Sequence, residues 1–167
     1  LQQLQQDYPN NRQLAFARAL VLHENEPQQA LDILQQQPVE QQQAGALLLQ
    51  ANLLEQLEQP QQAIDLLHAS LQLHPDDSRL RLQLARLLLG TEELDAAASQ
   101  FGRLLEQNPD DHDLILTLGL ISLENQQADL AILYLEQALE QQPDNSTTLF
   151  HLGLALEEQG QTDEAVQ

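Results

Sequence analysis

The chain has no cysteine, methionine, tryptophan or lysine among its 167 residues, and its six basic side chains are all arginine. Without cysteine there is no disulfide framework, no Cys-type zinc site and no thiol nucleophile, and cysteine usage leaves the redox compartment open. Six arginines stand against 26 Asp and Glu, for a net charge of −20. Binding to phosphate backbones needs clustered cations, so nucleic acid is excluded as a partner class. Long apolar runs are also missing: Leu47, Leu48 and Leu49 are flanked by Ala, Gly and Gln, and no transmembrane segment is expected. The sequence opens at Leu1 without a start residue or signal-like segment and stops at Gln167 inside a helical pattern. That predicts a piece of a longer protein, with any targeting signal outside it.

What the chain does hold is Leu, Gln and Ala, 39, 30 and 18 of them, together about half of all residues. All three are good helix formers, so the fold class expected is all-α. The hydrophobic fraction of 42% is too high for disorder driven by charge.

Periodicity organises these residues. Pro75, Pro109 and Pro143 recur every 34 residues, and Ala30, Ala63, Ala97, Ala131 and Ala165 follow at spacings of 33, 34, 34 and 34. Each period holds two amphipathic segments, clearest from His112 to Asn145. There Leu114, Ile115, Leu118, Ile121 and Ser122 mark one helical stripe, and Leu130, Ala131, Leu135, Ala138 and Leu139 mark the next. Pro143 stops the second helix. Asp144 to Ser146, like Asp76-Asp77-Ser78 and Asp110-Asp111, supply caps for the helix that follows. Pro27 and Pro60 fall in the first turn of a second helix, where a missing amide donor costs nothing. A short turn forces the two helices antiparallel, about 8–10 Å apart. The closest contacts then need small residues: Ala51, Ala85, Gly119 and Gly153 on first helices, and the alanine series on second helices.

A helix pair of 34-residue period with these small residues and a closing proline resembles the tetratricopeptide repeat (TPR). The resemblance rests on Leu118-Gly119, Ala131, Leu135, Ala138 and Pro143 in one unit, and on Leu149, Leu152-Gly153, Leu156, Gly160 and Ala165 in the next. It implies a right-handed superhelical solenoid of antiparallel helix pairs. The units expected are 11–43, 44–77, 78–111 and 112–145, with 146–167 truncated and 1–10 the end of a preceding repeat. Departures gather in the first unit, where Pro38 arrives early and Arg18 stands where a small residue is usual. Arg81 and Ser122 replace bulky apolar residues.

No catalytic constellation is present: there is no Gly-rich phosphate loop and no His-Glu-x-x-His. The chain is read as non-enzymatic, with no cofactor and no metal site. Asp110-Asp111-His112-Asp113 offers carboxylates to a hard cation, but capping of a helix N-terminus accounts for it. Asn145-Ser146-Thr147 fits a glycosylation sequon at another helix start, and the Gln35–Gln37 and Gln41–Gln43 runs read as solvated faces.

The resemblance implies that first helices line a concave groove. On that face fall Leu48, Leu82, Leu116 and Phe150, with Ala15 before them. One turn on lie Ala19, Asn52, Arg86, Leu120 and Leu154, and Arg79 stands near the middle. Some TPR co-chaperones hold a C-terminal carboxylate with Lys and Asn at such places; with no Lys that clamp is absent. The function expected is a protein-interaction scaffold whose partner peptide or helix brings apolar anchors and an acidic group. One alternative is a TPR lipoprotein adaptor of the bacterial envelope, which the LGLALEEQGQTDEAV end resembles and which places the chain in the periplasm or on the outer membrane. Others are self-association through solenoid ends and attachment to a catalytic domain elsewhere.

Overall fold

A computed structural model describes residues 12–160. Among them the chain forms α-helices α1 (Arg12–Leu22), α2 (Pro27–Gln35), α3 (Ala44–Gln56), α4 (Pro60–Leu73), α5 (Ser78–Gly90), α6 (Leu94–Gln107), α7 (His112–Glu124), α8 (Ala128–Gln141) and α9 (Ser146–Glu158), with a 3-10 turn at Val39–Gln41. The described residues divide into two compact units, one up to Leu87 and the other from Leu88.

In the first unit α1 packs on α2, α2 on α3, and α3 on α4. Ala30 and Ala63 on the second helices, and Ala19, Ala51 and Ala85 on the first, are fully buried. Around them Leu31, Leu34, Leu47, Leu53, Leu54, Leu67 and Leu80 lose nearly all contact with water, each contributing about 1.5–3 kcal/mol. In the second unit α6 packs on α7, α7 on α8 and α8 on α9. Ala97, Ala131 and Ala138 have no exposed surface there, and Leu135 joins Ala131 and Ala155 in one cluster. Gly119 is required by contact: a Cβ built on it lies 2.9 Å from Leu135 Cγ and 3.0 Å from its Cδ2. At Gly153 an added Cβ meets nothing within 4 Å. The second helix expected opposite it, like Ala165, lies outside the described residues.

The first pair departs from the expected register. The fully buried small residue on α1 is Ala19, while Arg18 next to it is half-buried. Ala15 and Ala19, expected on the exposed face, are 5% and 0% exposed. Both therefore belong to the core, and the surface row of α1 is Phe16 and Leu20. The cause is local. Ala19 to Ala30 spans one residue fewer than Ala51 to Ala63, so counting back by 33 lands one position short on α1.

The caps also recur. Asp77 Oδ1 accepts from Arg79 N at 3.0 Å and Leu80 N at 3.3 Å. Asp111 Oδ1 accepts from Leu114 N at 3.2 Å, and Asn145 Oδ1 from Thr148 N at 3.1 Å. Gln43, at the equivalent place before α3, makes no side-chain cap.

The turns inside the pairs show a period the composition hides. Glu58, Glu92, Gln126 and Gly160, each 34 residues apart, have φ of 59°, 62°, 58° and 77°. Gln59 N donates to Leu54 O at 2.8 Å, Glu93 N to Leu88 O at 2.9 Å and Gln127 N to Ser122 O at 2.8 Å. These are Schellman closures, and the left-handed residue sits where glycine is favoured. A side chain there costs about 1–2 kcal/mol, against about 0.5–1 kcal/mol of extra backbone entropy for glycine. Gln126→Gly should therefore raise stability by about 0.5–1 kcal/mol in urea denaturation. Gln127→Gly, at φ −99°, should not.

Candidate functional site

Apart from Ala15 and Ala19 on α1, the residues expected on the first-helix faces reach the surface. In the first unit, α3 presents half-buried Leu48 and exposed Asn52, and α5 presents exposed Arg79, Leu82 and Arg86. Gln83 Nε2 on α5 donates to Glu55 Oε2 on α3 at 3.0 Å, tying the two helices beside this row. In the second unit, α7 presents Leu116 and Leu120, both half-buried, and α9 presents Phe150 and Leu154, 63% and 37% exposed. Leu116 also packs against the Ala131, Leu135 and Ala155 cluster, so it serves the core as well as the surface. The Phe150 ring stands edge-on to His151, with centroids 5.4 Å apart. Leu149, which was not among the residues expected on this face, is exposed as well.

The arginines of this stretch differ in their surroundings. Arg79 Nη2 lies 2.8 Å from Asp77 Oδ2, so its charge is matched. Arg81 is 6% exposed and donates through Nη2 to the Pro75 carbonyl, so it is part of the core. Arg103 lies on α6, a second helix. Arg86 remains exposed on the α5 face, beyond any ion pair among the described residues.

The hydrogen bond from Arg79 holds the Asp77 carboxyl below its ordinary value of 3.8, against the opposing effect of partial burial; backbone amides of Leu80 and Arg79 and the nearby positive charge add to the lowering. A lowered folded-state pKa adds stability that is fully present above 3.8 and is lost as pH falls through the folded value. Asp77→Asn should thus destabilise the chain at neutral pH. The difference from wild type should close in thermal melts taken progressively below that value.

In the acidic cluster at the start of α7, Asp111 is the helix cap. Asp111 Oδ2 accepts from Asn108 Nδ2 at 3.0 Å while Oδ1 caps the helix. Among the described residues no group of three or more His, Asp or Glu is placed to hold a metal ion. Asn145 of the sequon is the α9 cap, and its Nδ2 donates to Gln142 Oε1 at 3.3 Å. No helix among the described residues is long and apolar enough to cross a membrane.

Three family models, each described as tetratricopeptide repeat, match residues 54–118, 112–145 and 134–167, which together run unbroken over more than half of the chain. The TPR repeat-containing protein PA4667 of Pseudomonas aeruginosa is 40% identical over 79 residues, or 47% of this chain. The match spans only 13% of that protein's length. Among solved structures, YrrB, described as a TPR protein with an unusual peptide-binding site, aligns over 99% of this chain and 86% of its own, with TM-score 0.80 and 18% identity. MamA of Desulfovibrio magneticus RS-1 aligns over 94% of this chain and 90% of its own, with TM-score 0.75 and 19% identity. At these identities the likeness to both structures is one of fold.

Proposed function

Since the chain belongs to the tetratricopeptide-repeat family, we propose that it is a non-catalytic scaffold that holds a protein or peptide segment on the outward faces of its first helices. The repeats 11–43, 44–77, 78–111 and 112–145 are its units, and the contact residues are Leu48, Asn52, Arg79, Leu82, Arg86, Leu116, Leu120 and Phe150. The observation that carries this reading is that each unit exposes large apolar side chains on its first helices. Leu82 is 41% and Phe150 63% exposed, at positions 34 residues apart from neighbours of the same kind. Large apolar side chains repeated on one face of successive helices cost solubility unless a partner covers them. The solved neighbour described by its peptide-binding site supports the class of partner.

Arg86 beside the apolar row adds a preference. In a chain of net charge −20 an unmatched exposed cation favours a carboxylate on the partner and disfavours a second cation. The ligand is therefore an amphipathic helix or extended segment with apolar anchors and an acidic residue. Leu149, Phe150 and Leu154 support a second reading in which copies of the chain associate through this end. Selection from a random peptide library on the immobilised chain tests the first. Enriched peptides should share apolar residues at regular spacing with at least one Asp or Glu. Enrichment of basic or wholly polar peptides would overturn the reading, and mass that rises with chain concentration in light scattering would favour the second.

A further inference from the structure

The second helix of the first pair, α2, runs for 9 residues where α4, α6 and α8 run for 14. The shortfall is about 7.5 Å of rod, a turn and a half. The 3-10 turn Val39–Gln41 follows instead, and a cleft of about 130 Å³ opens between α1, the end of α2 and the start of α3. Its floor is Ala15, Leu34 and Ala46, none more than 7% exposed. Phe16 forms one wall, against the α3 backbone at Gly45, and Arg12 and Gln13 stand on the rim.

Gln42 lines the same cleft and is 8% exposed. Its Nε2 donates to Leu34 O at 3.2 Å and to Gln37 O at 2.8 Å, closing the end of α2. Those bonds fix the amide orientation, because a flip would bring its oxygen against two carbonyl oxygens. Oε1 is thereby left buried with no donor. Arg12 is exposed and takes part in no ion pair among the described residues.

We propose that this cleft is a socket for one aliphatic side chain with a carboxylate beside it, presented by a partner segment. The volume argues for a single side chain, since an apolar cavity of about 150 Å³ holds one benzene ring. The floor is apolar, as a methyl-bearing chain needs. Arg12 at the mouth supplies a cation where the chain as a whole is strongly acidic, and charge-assisted bonds to a carboxylate are the strong ones. This goes beyond the first-helix faces of α3, α5, α7 and α9: the socket lies where α2 is short.

Titration of the isotope-labelled full chain with 4-methylpentanoate and with 4-methylpentanamide, followed by NMR, tests the socket. The acid should shift the Ala15 and Ala46 methyls and the Gln42 side-chain amide saturably, and bind about tenfold tighter than the amide. Arg12→Gln, on an exposed residue, should bring the two probes to equal affinity, and Ala46→Leu should fill the space and abolish both. If Ala46→Leu fails to fold, the Arg12→Gln comparison decides. Absence of saturable shifts, equal affinity of the two probes for the unmodified chain, or shifts confined to Leu82 and Phe150 would overturn the proposal. So would shifts that follow chain concentration without probe, which would show a second copy seated there.

Discussion

Ala131→Leu should lower the stability of the chain by about 1–3 kcal/mol, the range for inserting methylenes into a filled core. Ala131 has no exposed surface and sits with Leu135 and Ala155 while Leu116, Leu123, Ile132 and Leu152 close around it. The space cannot be enlarged by parting α7 from α8 without cost. Gly119 already brings the α7 backbone so near that a single added carbon would stand 2.9 Å from Leu135 Cγ. A leucine at position 131 must therefore leave its preferred rotamer or push the helices apart. In a chain of this size the thermal midpoint should fall by roughly 2–12 °C. Leu133→Ala on the same helix, at a residue 58% exposed, is the control and should stay within about 0.5 kcal/mol of wild type. An unchanged midpoint for Ala131→Leu would contradict the register that places Ala30, Ala63, Ala97 and Ala131 at the closest contacts.

That register was legible because close packing leaves a compositional trace. A position that admits only a methyl group stays alanine whatever surrounds it, and the interval between such positions measures the repeat. The caps were legible for a similar reason: orphan amides at the starts of α5, α7 and α9 call for Asp or Asn, and Asp77, Asp111 and Asn145 supply them. The left-handed turn residues were not, because Glu58, Glu92 and Gln126 are ordinary residues held in that conformation by the hydrogen bonds around them. Gly160 at the same interval was the one available signal. The slip on α1 escaped because alanine is abundant there, so Ala15 and Ala19 suited either face. Charge was least legible of all. A count of arginines near the row did not show that Arg79 is matched by Asp77 or that Arg81 is buried against the Pro75 carbonyl.

Placing a carboxylate on the apolar first-helix face of each unit should remove partner binding while leaving the helices intact. Leu82 and Phe150 are the positions for it, at 41% and 63% exposure, because a glutamate at either one remains in water. Leu116 is unsuitable for this purpose, since a charge there would enter the Ala131 cluster and its effect would mix folding with binding. Each anchor lost removes about 1.5–3 kcal/mol of apolar burial. The new negative charge at position 82, on the same helix as Arg86, also opposes the acidic group that Arg86 favours. Together these predict an affinity loss of at least about a hundredfold.

The most direct measurement is calorimetric titration of a library-selected peptide into wild type and into Leu82→Glu/Phe150→Glu, with far-ultraviolet circular dichroism of both proteins. A scaffold that holds its partner on the first-helix faces should show unchanged helicity and at least about a hundredfold weaker binding in the variant. Unchanged affinity with intact helices would contradict it.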